Sequence, residues 1–257
     1  MSMELLKVFD NRKYAKLALD CHEQYINAEP FNHIVFDDFL DPSLARLLGE
    51  SFPKPKDVLN TEVKTHKNEN VERSFIENVE FLPDPLRAFT AAAESRHFLL
   101  FLEALTGASA LLPDPYLIGG GAMMTGPGGY LNIHADFNWH HKLQTWRRIN
   151  VLLYLTPNWQ SDWGGELELW STDGKKKVKS VEPLFNRCVI FSTTSESYHG
   201  QPSKVACPDG TYRNVLSLFY YSTVKDSATL DDPHFTKYAL ENSPYSDSLL
   251  KNYKMKD

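Results

Sequence analysis

Hydrophobic positions recur at helical spacing through the first hundred or so residues and at strand spacing afterwards, with the change near Tyr116. Between Arg12 and Ala28, the residues Tyr14, Leu17, Ala18, Cys21, Tyr25 and Ala28 fall near a helical period and predict an amphipathic helix. Pro30 to Phe36 predicts a short strand. Asp41-Pro42 places a capping carboxylate ahead of proline at the first helical position, so a helix is expected through about Phe52. The same device recurs at Asp84-Pro85, and a further helix is predicted from Ser95 through Leu105, stopped by Gly107. Residues 54–70 are polar and rich in lysine, which predicts a mobile loop; a lid is one role for such a loop.

Beyond Tyr116, short apolar runs alternate with turn residues. Eight strands are predicted, at about 116–125, 129–134, 148–155, 166–171, 177–182, 187–193, 199–206 and 212–222. Ile149 to Leu155 is nearly all apolar and should be buried on both faces, whereas Glu166 to Trp170 alternates like a strand with one wet face. Eight strands at this spacing predict a mainly β fold with flanking helices, a double-stranded β-helix (jelly roll) that can carry a metal site in its mouth. The expected organisation is a helical N-terminal region, 1–112, packed on a β core, 113–224, followed by a C-terminal extension, 225–257. That extension reads as a docked helix or a partner contact through which a homo-oligomer could form.

Composition narrows the function classes. The chain has 257 residues, 42% hydrophobic and 23% charged, as a folded globular protein should. A formal net charge of −6 gives nucleic-acid coating no electrostatic support, and the lone basic run, Lys175-Lys176-Lys177, reads as a solvated hairpin turn. Three dispersed cysteines, Cys21, Cys188 and Cys207, argue against a disulfide framework and for a reducing compartment, with Cys188 a small core residue. No signal-peptide pattern opens the sequence and no run of 18 apolar residues occurs, so a cytoplasmic location without membrane contact is expected.

The chemistry lies in an ordered set of residues: His134-Ala135-Asp136, the corner Gly164-Gly165-Glu166-Leu167, His199-Gly200 and Arg213. Two imidazoles and one carboxylate can occupy one face of an octahedral Fe(II), leaving positions for a bidentate cosubstrate and O2. A downstream cation can hold the far carboxylate of 2-oxoglutarate by a paired, charge-assisted contact. His134 and Asp136, two residues apart at a strand end, should share one side, while His199 and Arg213 open the seventh and eighth predicted strands. Gly119-Gly120-Gly121 precedes no helix or GK[ST] and reads as close strand packing rather than a phosphate loop.

From Gly126 to Tyr221 the chain resembles the Fe(II)/2-oxoglutarate-dependent dioxygenases of the prolyl 4-hydroxylase-like superfamily. The resemblance is carried by the glycine-rich turn before His134, by Leu153 to Trp159, by the Gly164 corner, by Asn186 to Phe191, and by His199-Gly200 with Arg213. It implies that His134, Asp136 and His199 are iron ligands and that Arg213 pairs with the distal carboxylate of 2-oxoglutarate. Tyr154 stands where relatives present a hydroxyl to that carboxylate; a buried core tyrosine is the alternative. One departure is that Arg213 follows His199 by fourteen residues, because Pro202 to Gly210 is an apparent insertion. Arg187 is a competing cation with an expected structural contact.

The resemblance further implies Fe(II), 2-oxoglutarate and O2 as cofactor and cosubstrates, with ascorbate a candidate reductant, and release of succinate and CO2. The expected substrate is a small metabolite or natural-product intermediate, hydroxylated at an unactivated C–H. The alternatives are a peptidyl, prolyl-type hydroxylase and a metal-binding sensing module without turnover. In the loop from Phe137 to Arg147, Trp139 and His140 are candidates to touch substrate, or else loop anchors. His140-His141 should point opposite ways and so make a poor second metal site.

Overall fold

Strand alternation gives this molecule one antiparallel sheet with two unlike faces. The computed structural model describes residues 8–9, 12–55, 63–224 and 232–239. Its elements in chain order are α1 (Arg12–Ile26), β1 (His33–Phe36), α2 (Pro42–Glu50), β2 (Lys64–Lys67), β3 (Val71–Ile76), α3 (Asp84–Ala93), α4 (Arg96–Thr106), β4 (Leu112–Pro113), β5 (Gly121–Thr125), β6 (Tyr130–Ala135), β7 (Trp139–His140), β8 (Thr145–Tyr154), β9 (Leu167–Trp170), β10 (Lys177–Val181), β11 (Cys188–Ser192), β12 (His199–Gln201), β13 (Arg213–Ser222) and β14 (Lys237–Tyr238). The hydrogen-bonded order is β1-β11-β8-β13-β5-β3-β6-β12-β9-β10, with β2, β4, β7 and β14 pairing off this path. The sheet curls into the jelly-roll arrangement expected from the strand pattern.

Odd and even positions along the central strands part company. Ile149, Val151 and Leu153 of β8, Cys188 and Ile190 of β11, and Leu216, Leu218 and Tyr220 of β13 pack outward. They meet α1 through Tyr14 and Ala18, α2 through Leu48, α3 through Leu86 and Phe89, and α4 through Phe98, Phe101 and Leu105. Tyr154, Val189, Phe191 and Val215 point inward with Met123, Leu167 and Leu169. Ile149 to Leu155 is therefore covered on both sides, as its composition predicts, and each large apolar side chain so buried contributes about 1.5–3 kcal/mol.

The predicted helices form with small differences at their ends. Asp41 caps α2 by accepting from the Ser43 backbone N–H, with Pro42 in the first turn. Asp84 is already inside α3, whose cap position is Pro83, so it makes no equivalent cap. Gly107 ends α4 at φ +74°.

Several expectations change. Residues 54–70 do not form one loop: β2 begins at Lys64, and 56–62, where a lid would centre, lie outside the described residues. The first hundred residues also supply β3, which sits inside the sheet between β5 and β6. The predicted strand at 116–125 is pairing-competent only from Gly121, because Asp114 holds the Tyr116 and Ile118 backbone N–H groups in a turn. The predicted strand 199–206 stops at Gln201, since Pro202 has no N–H and the chain then crosses to pair Val205 with Gly129.

The described part of the C-terminal extension is a strand and not a helix. Lys237 and Tyr238 pair with Ala135 and His134, and Asn138 brackets the approach by accepting from His234 N and donating to Asp232 O. The Leu249-Leu250 pair lies outside the described residues. Among the described residues no helix is long and apolar enough to cross a membrane.

Candidate metal and cosubstrate site

Register places the site. His134 on β6 lies directly opposite His199 on β12, so two residues far apart in sequence become a cross-strand pair with ring centroids 4.6 Å apart. Asp136 follows two positions after His134 and returns to the same face. Its Oδ1 is 3.4 Å from His134 Nε2 and its Oδ2 3.5 Å from His199 Nε2. One ligand atom from each of the three lies within 4.8 Å of the others, and all three residues are buried.

Each imidazole is held by a backbone carbonyl. His134 Nδ1 donates to Asn132 O at 2.8 Å and His199 Nδ1 donates to Ser197 O at 2.9 Å. A carbonyl only accepts, so each Nδ1 carries a proton and Nε2, on the Asp136 side, is the nitrogen left to serve a metal. Burial pushes the His199 imidazolium down to about 4 against the opposing pull of Asp136, so the ring is neutral at ordinary pH. Burial alone would raise the Asp136 carboxyl, but the Arg147 guanidinium beside it outweighs that and holds it well below the usual carboxylate range. Two imidazoles and one carboxylate, buried and preorganised, fit a divalent iron ion.

Asp136 is gripped from behind. Arg147 Nη2 lies 2.9 Å from its Oδ2, and Asn150 Nδ2 donates to the same oxygen at 2.7 Å. Arg147 also donates from Nε and Nη2 to Asn150 Oδ1, closing a triangle, and its guanidinium lies 3.4 Å from the Phe219 ring centroid. The sequence reading missed both residues. Asn150 did leave a signal, a lone amide at an inward position of an apolar run. Arg147 left a misleading one. Alternation from Asn150 points Arg148 inward, but β8 carries an extra residue where Ile149 faces Tyr220 and Arg147 faces Tyr221, and this bulge turns Arg147 into the site.

Across the cavity, Arg213 at the start of β13 donates from Nε to Gly165 O at 2.6 Å and from Nη2 to the Tyr154 hydroxyl at 3.3 Å. Gly165, at φ +78°, is where the predicted corner brings backbone against this arginine: a Cβ there would lie 3.1 Å from Arg213 Cδ. Tyr154 neighbours Arg213 because β8 pairs Tyr154 with Val215. Its ring is fully buried, it lies 4.9 Å from the guanidinium, and its burial raises the phenol. Arg213 Nη1 has no hydrogen-bond partner among the described residues. The insertion after Pro202 shields this corner, with Val205 and Cys207 packed on Trp159 and Trp163. Arg187 is engaged elsewhere, in a two-point contact with Asp37 and a bond to Glu182 O.

One cavity joins His134, Asp136, His199, Arg147, Asn150 and Arg213, with Met123, Leu131, Leu152, Leu167 and Val215 as apolar wall. Trp139 and His140 do not line it. His140 is 1% exposed, its Nε2 3.1 Å from Asp114 Oδ1 and its Nδ1 accepting from Leu143 N, so it anchors the loop. Trp139 packs edge-on against Trp146. His141 is exposed, opposite to His140 as expected. The cavity also contains Arg73 of β3, from a segment the sequence reading left unassigned.

Comparison with known proteins agrees with this geometry. Residues 120–221 match the model of the 2OG-Fe(II) oxygenase superfamily. The chain is 35% identical over 91 residues to Prolyl 3-hydroxylase OGFOD1 of Mus musculus, a match covering 34% of this chain and 16% of that protein. It thus spans about a sixth of the length of that curated relative. The fold superposes on a prolyl hydroxylase from Trichoplax adhaerens, solved with a hypoxia inducible factor peptide, at TM-score 0.52 and 20% identity, covering 82% of this chain and 91% of that one. It superposes equally on a Pseudomonas putida prolyl-4-hydroxylase, at TM-score 0.53 and 17% identity, covering 80% and 98%. The segment that matches the 2OG-Fe(II) oxygenase superfamily, residues 120–221, contains both histidines, the aspartate and the arginine of the site.

Proposed function

We propose that this protein is an Fe(II)- and 2-oxoglutarate-dependent oxygenase that hydroxylates a prolyl residue in a protein or peptide. The observation that carries the reaction class is the buried His134–Asp136–His199 cluster with Arg213 across the same cavity. His134, Asp136 and His199 hold the iron; Arg213 and the Tyr154 hydroxyl receive the distal carboxylate of 2-oxoglutarate. Bound iron, with 2-oxoglutarate and O2, supplies the oxidation, releasing succinate and CO2 and delivering oxygen to a C–H bond. The protein's own part is positional. Arg147 and Asn150 keep the Asp136 carboxylate ionised and aimed, the two carbonyls fix the imidazole tautomers, and the apolar wall keeps bulk water from the reacting carbon.

The prolyl assignment is supported by the 35% identity to a prolyl 3-hydroxylase. The small-metabolite reading expected from the sequence uses the same site and differs in what enters the cavity. The two separate in one experiment: succinate release by Fe(II)-loaded protein with proline-containing peptides in one arm and a metabolite extract in the other, each followed by mass spectrometry. Stimulation by peptides with one oxygen added at proline is the expected result. Stimulation by the extract alone would move the protein to the small-molecule class, and silence in both arms would leave a binding module.

A further inference from the structure

Arg73 is the one cavity cation that the proposed reaction does not use. Along β3, Val71, Arg73 and Phe75 share a face by strand period, and Phe75 packs in the inner cluster with Met123, Tyr154 and Val215. The same alternation turns Arg73 into the cavity, where it is a lining residue. Its Nε is buried without any hydrogen-bond acceptor, and the side chain makes no hydrogen bond or ion pair with a described residue. Burying a guanidinium N–H without an acceptor is unfavourable, so the position calls for a partner that the protein does not provide.

Charge accounting identifies what is missing. The cavity brings together Arg73, Arg147 and Arg213 with a single carboxylate, Asp136. Asp136 is already engaged by Arg147 and Asn150. In the reading above, 2-oxoglutarate supplies one carboxylate to the metal and one to Arg213. Arg73 feels attraction from Asp136 and Tyr238 and repulsion from Arg213 and Arg147, and a phenol adds no formal charge. With a divalent metal and 2-oxoglutarate in place, positive charge in the cavity still exceeds negative, and Arg73 is the lining arginine with no anion assigned to it.

Resting on the oxygenase reading, we propose that Arg73 is a specificity-determining residue and that the substrate presents a carboxylate to it from the β3 side of the cavity. The two terminal nitrogens of the guanidinium, which make no hydrogen bond with a described residue, form a planar edge that matches a carboxylate at two points. The carboxylate belongs either to an acidic side chain beside the oxidised residue or to a free α-carboxyl group. Both place one negative charge within reach of β3, and both exclude a neutral or cationic segment as the preferred substrate.

The test measures binding rather than turnover. Mn(II)-loaded, 2-oxoglutarate-saturated protein under nitrogen is titrated calorimetrically with matched acid and amide ligands. These are prolyl peptides carrying aspartate or asparagine, N-acetylproline or its amide, and N-acetylalanine or its amide. Wild type should bind at least one acid about tenfold more tightly than its amide, the scale of a charge-assisted contact. Arg73→Gln should reduce that preference to less than about twofold and Arg73→Lys should keep part of it, while 2-oxoglutarate affinity stays unchanged. Preference for the aspartyl peptides or for the free acids identifies the source of the carboxylate. Preference confined to N-acetylalanine supports Arg73 and counts against the prolyl reading, so the two claims fail separately. Equal binding of every acid and amide to wild type, no binding of any acid, or undiminished preference in Arg73→Gln would overturn the proposal. Should Arg73→Gln not fold, the wild-type preference and the Arg73→Lys variant decide.

Discussion

At the scale of single residues, the His134–Asp136–His199 cluster is held by defined partners behind each of its groups. Asp136 is ionised because Arg147 and Asn150 stabilise the charge, and the histidines present Nε2 because carbonyls occupy Nδ1. Asn150→Ala removes one hydrogen bond to Asp136 and two from Arg147. Metal affinity should then fall by about 10–100-fold, the range for partners that orient a ligand, measured by Mn(II) titration; unchanged affinity would return Asn150 to an ordinary core role. Arg213→Ala should weaken 2-oxoglutarate binding by about 1.5–3 kcal/mol and Tyr154→Phe by about 0.5–1.5 kcal/mol. Equal affinities in wild type and Arg213→Ala would move the cosubstrate elsewhere in the cavity. The triad and Arg213 were legible in sequence because their chemistry is rare and their order is fixed. Trp139 and His140 were not, because a loop carries no period from which to read direction, and Asp114, which captures His140, lies 26 residues away.

At the scale of elements, the strands were readable where alternation is unbroken and unreadable where geometry breaks it. The bulge in β8 shifts parity by one and exchanges Arg148 for Arg147. β3 escaped notice because Val71 to Ile76 mixes charge with apolar residues, although Val71 and Phe75 bracket Arg73 at strand spacing. The glycines at 119–121 were read as close packing, and Gly121 supplies it. At φ +90°, a Cβ on it would lie 2.1 Å from Ile76 O. Gly121→Ala should therefore destabilise the fold by at least the about 1–3 kcal/mol of backbone strain and loosen the β3–β5 pairing that carries Arg73; an unchanged urea midpoint would contradict this.

The end of α3 gives a pH dependence. Burial, and then the Asp114 charge, raise the Glu94 carboxyl from 4.5 to about 7, at a helix C-terminus where negative charge is disfavoured. The folded state therefore holds a proton that the unfolded state releases. This contribution to stability is fully present below pH 4.5 and is lost as pH rises toward 7. Glu94→Gln should flatten that part of the stability–pH curve, and identical slopes in wild type and variant would assign it to other groups.

At the scale of the whole molecule, one sheet separates structure from chemistry. Its outer face is sealed by four helices, and its inner face carries the His134–Asp136–His199 cluster, Arg213 and the apolar wall. The jelly roll was foreseeable from strand count and turn spacing. The strand formed by Lys237 and Tyr238 was not, because two residues of pairing leave no periodic trace in a polar tail. Its register sets Tyr238 beside His134, with ring centroids 5.7 Å apart, so the chain beyond the core contributes to the rim of the site.

The most direct test of the central claim is succinate formation from 2-oxoglutarate by the Fe(II)-loaded protein, wild type against Asp136→Ala, with circular dichroism to establish that both are folded. Succinate release by wild type, accelerated by substrate peptide and abolished in the folded variant, is the result this account predicts. Equal succinate release by both proteins, or none from metal-loaded wild type with any peptide or metabolite fraction, would contradict it.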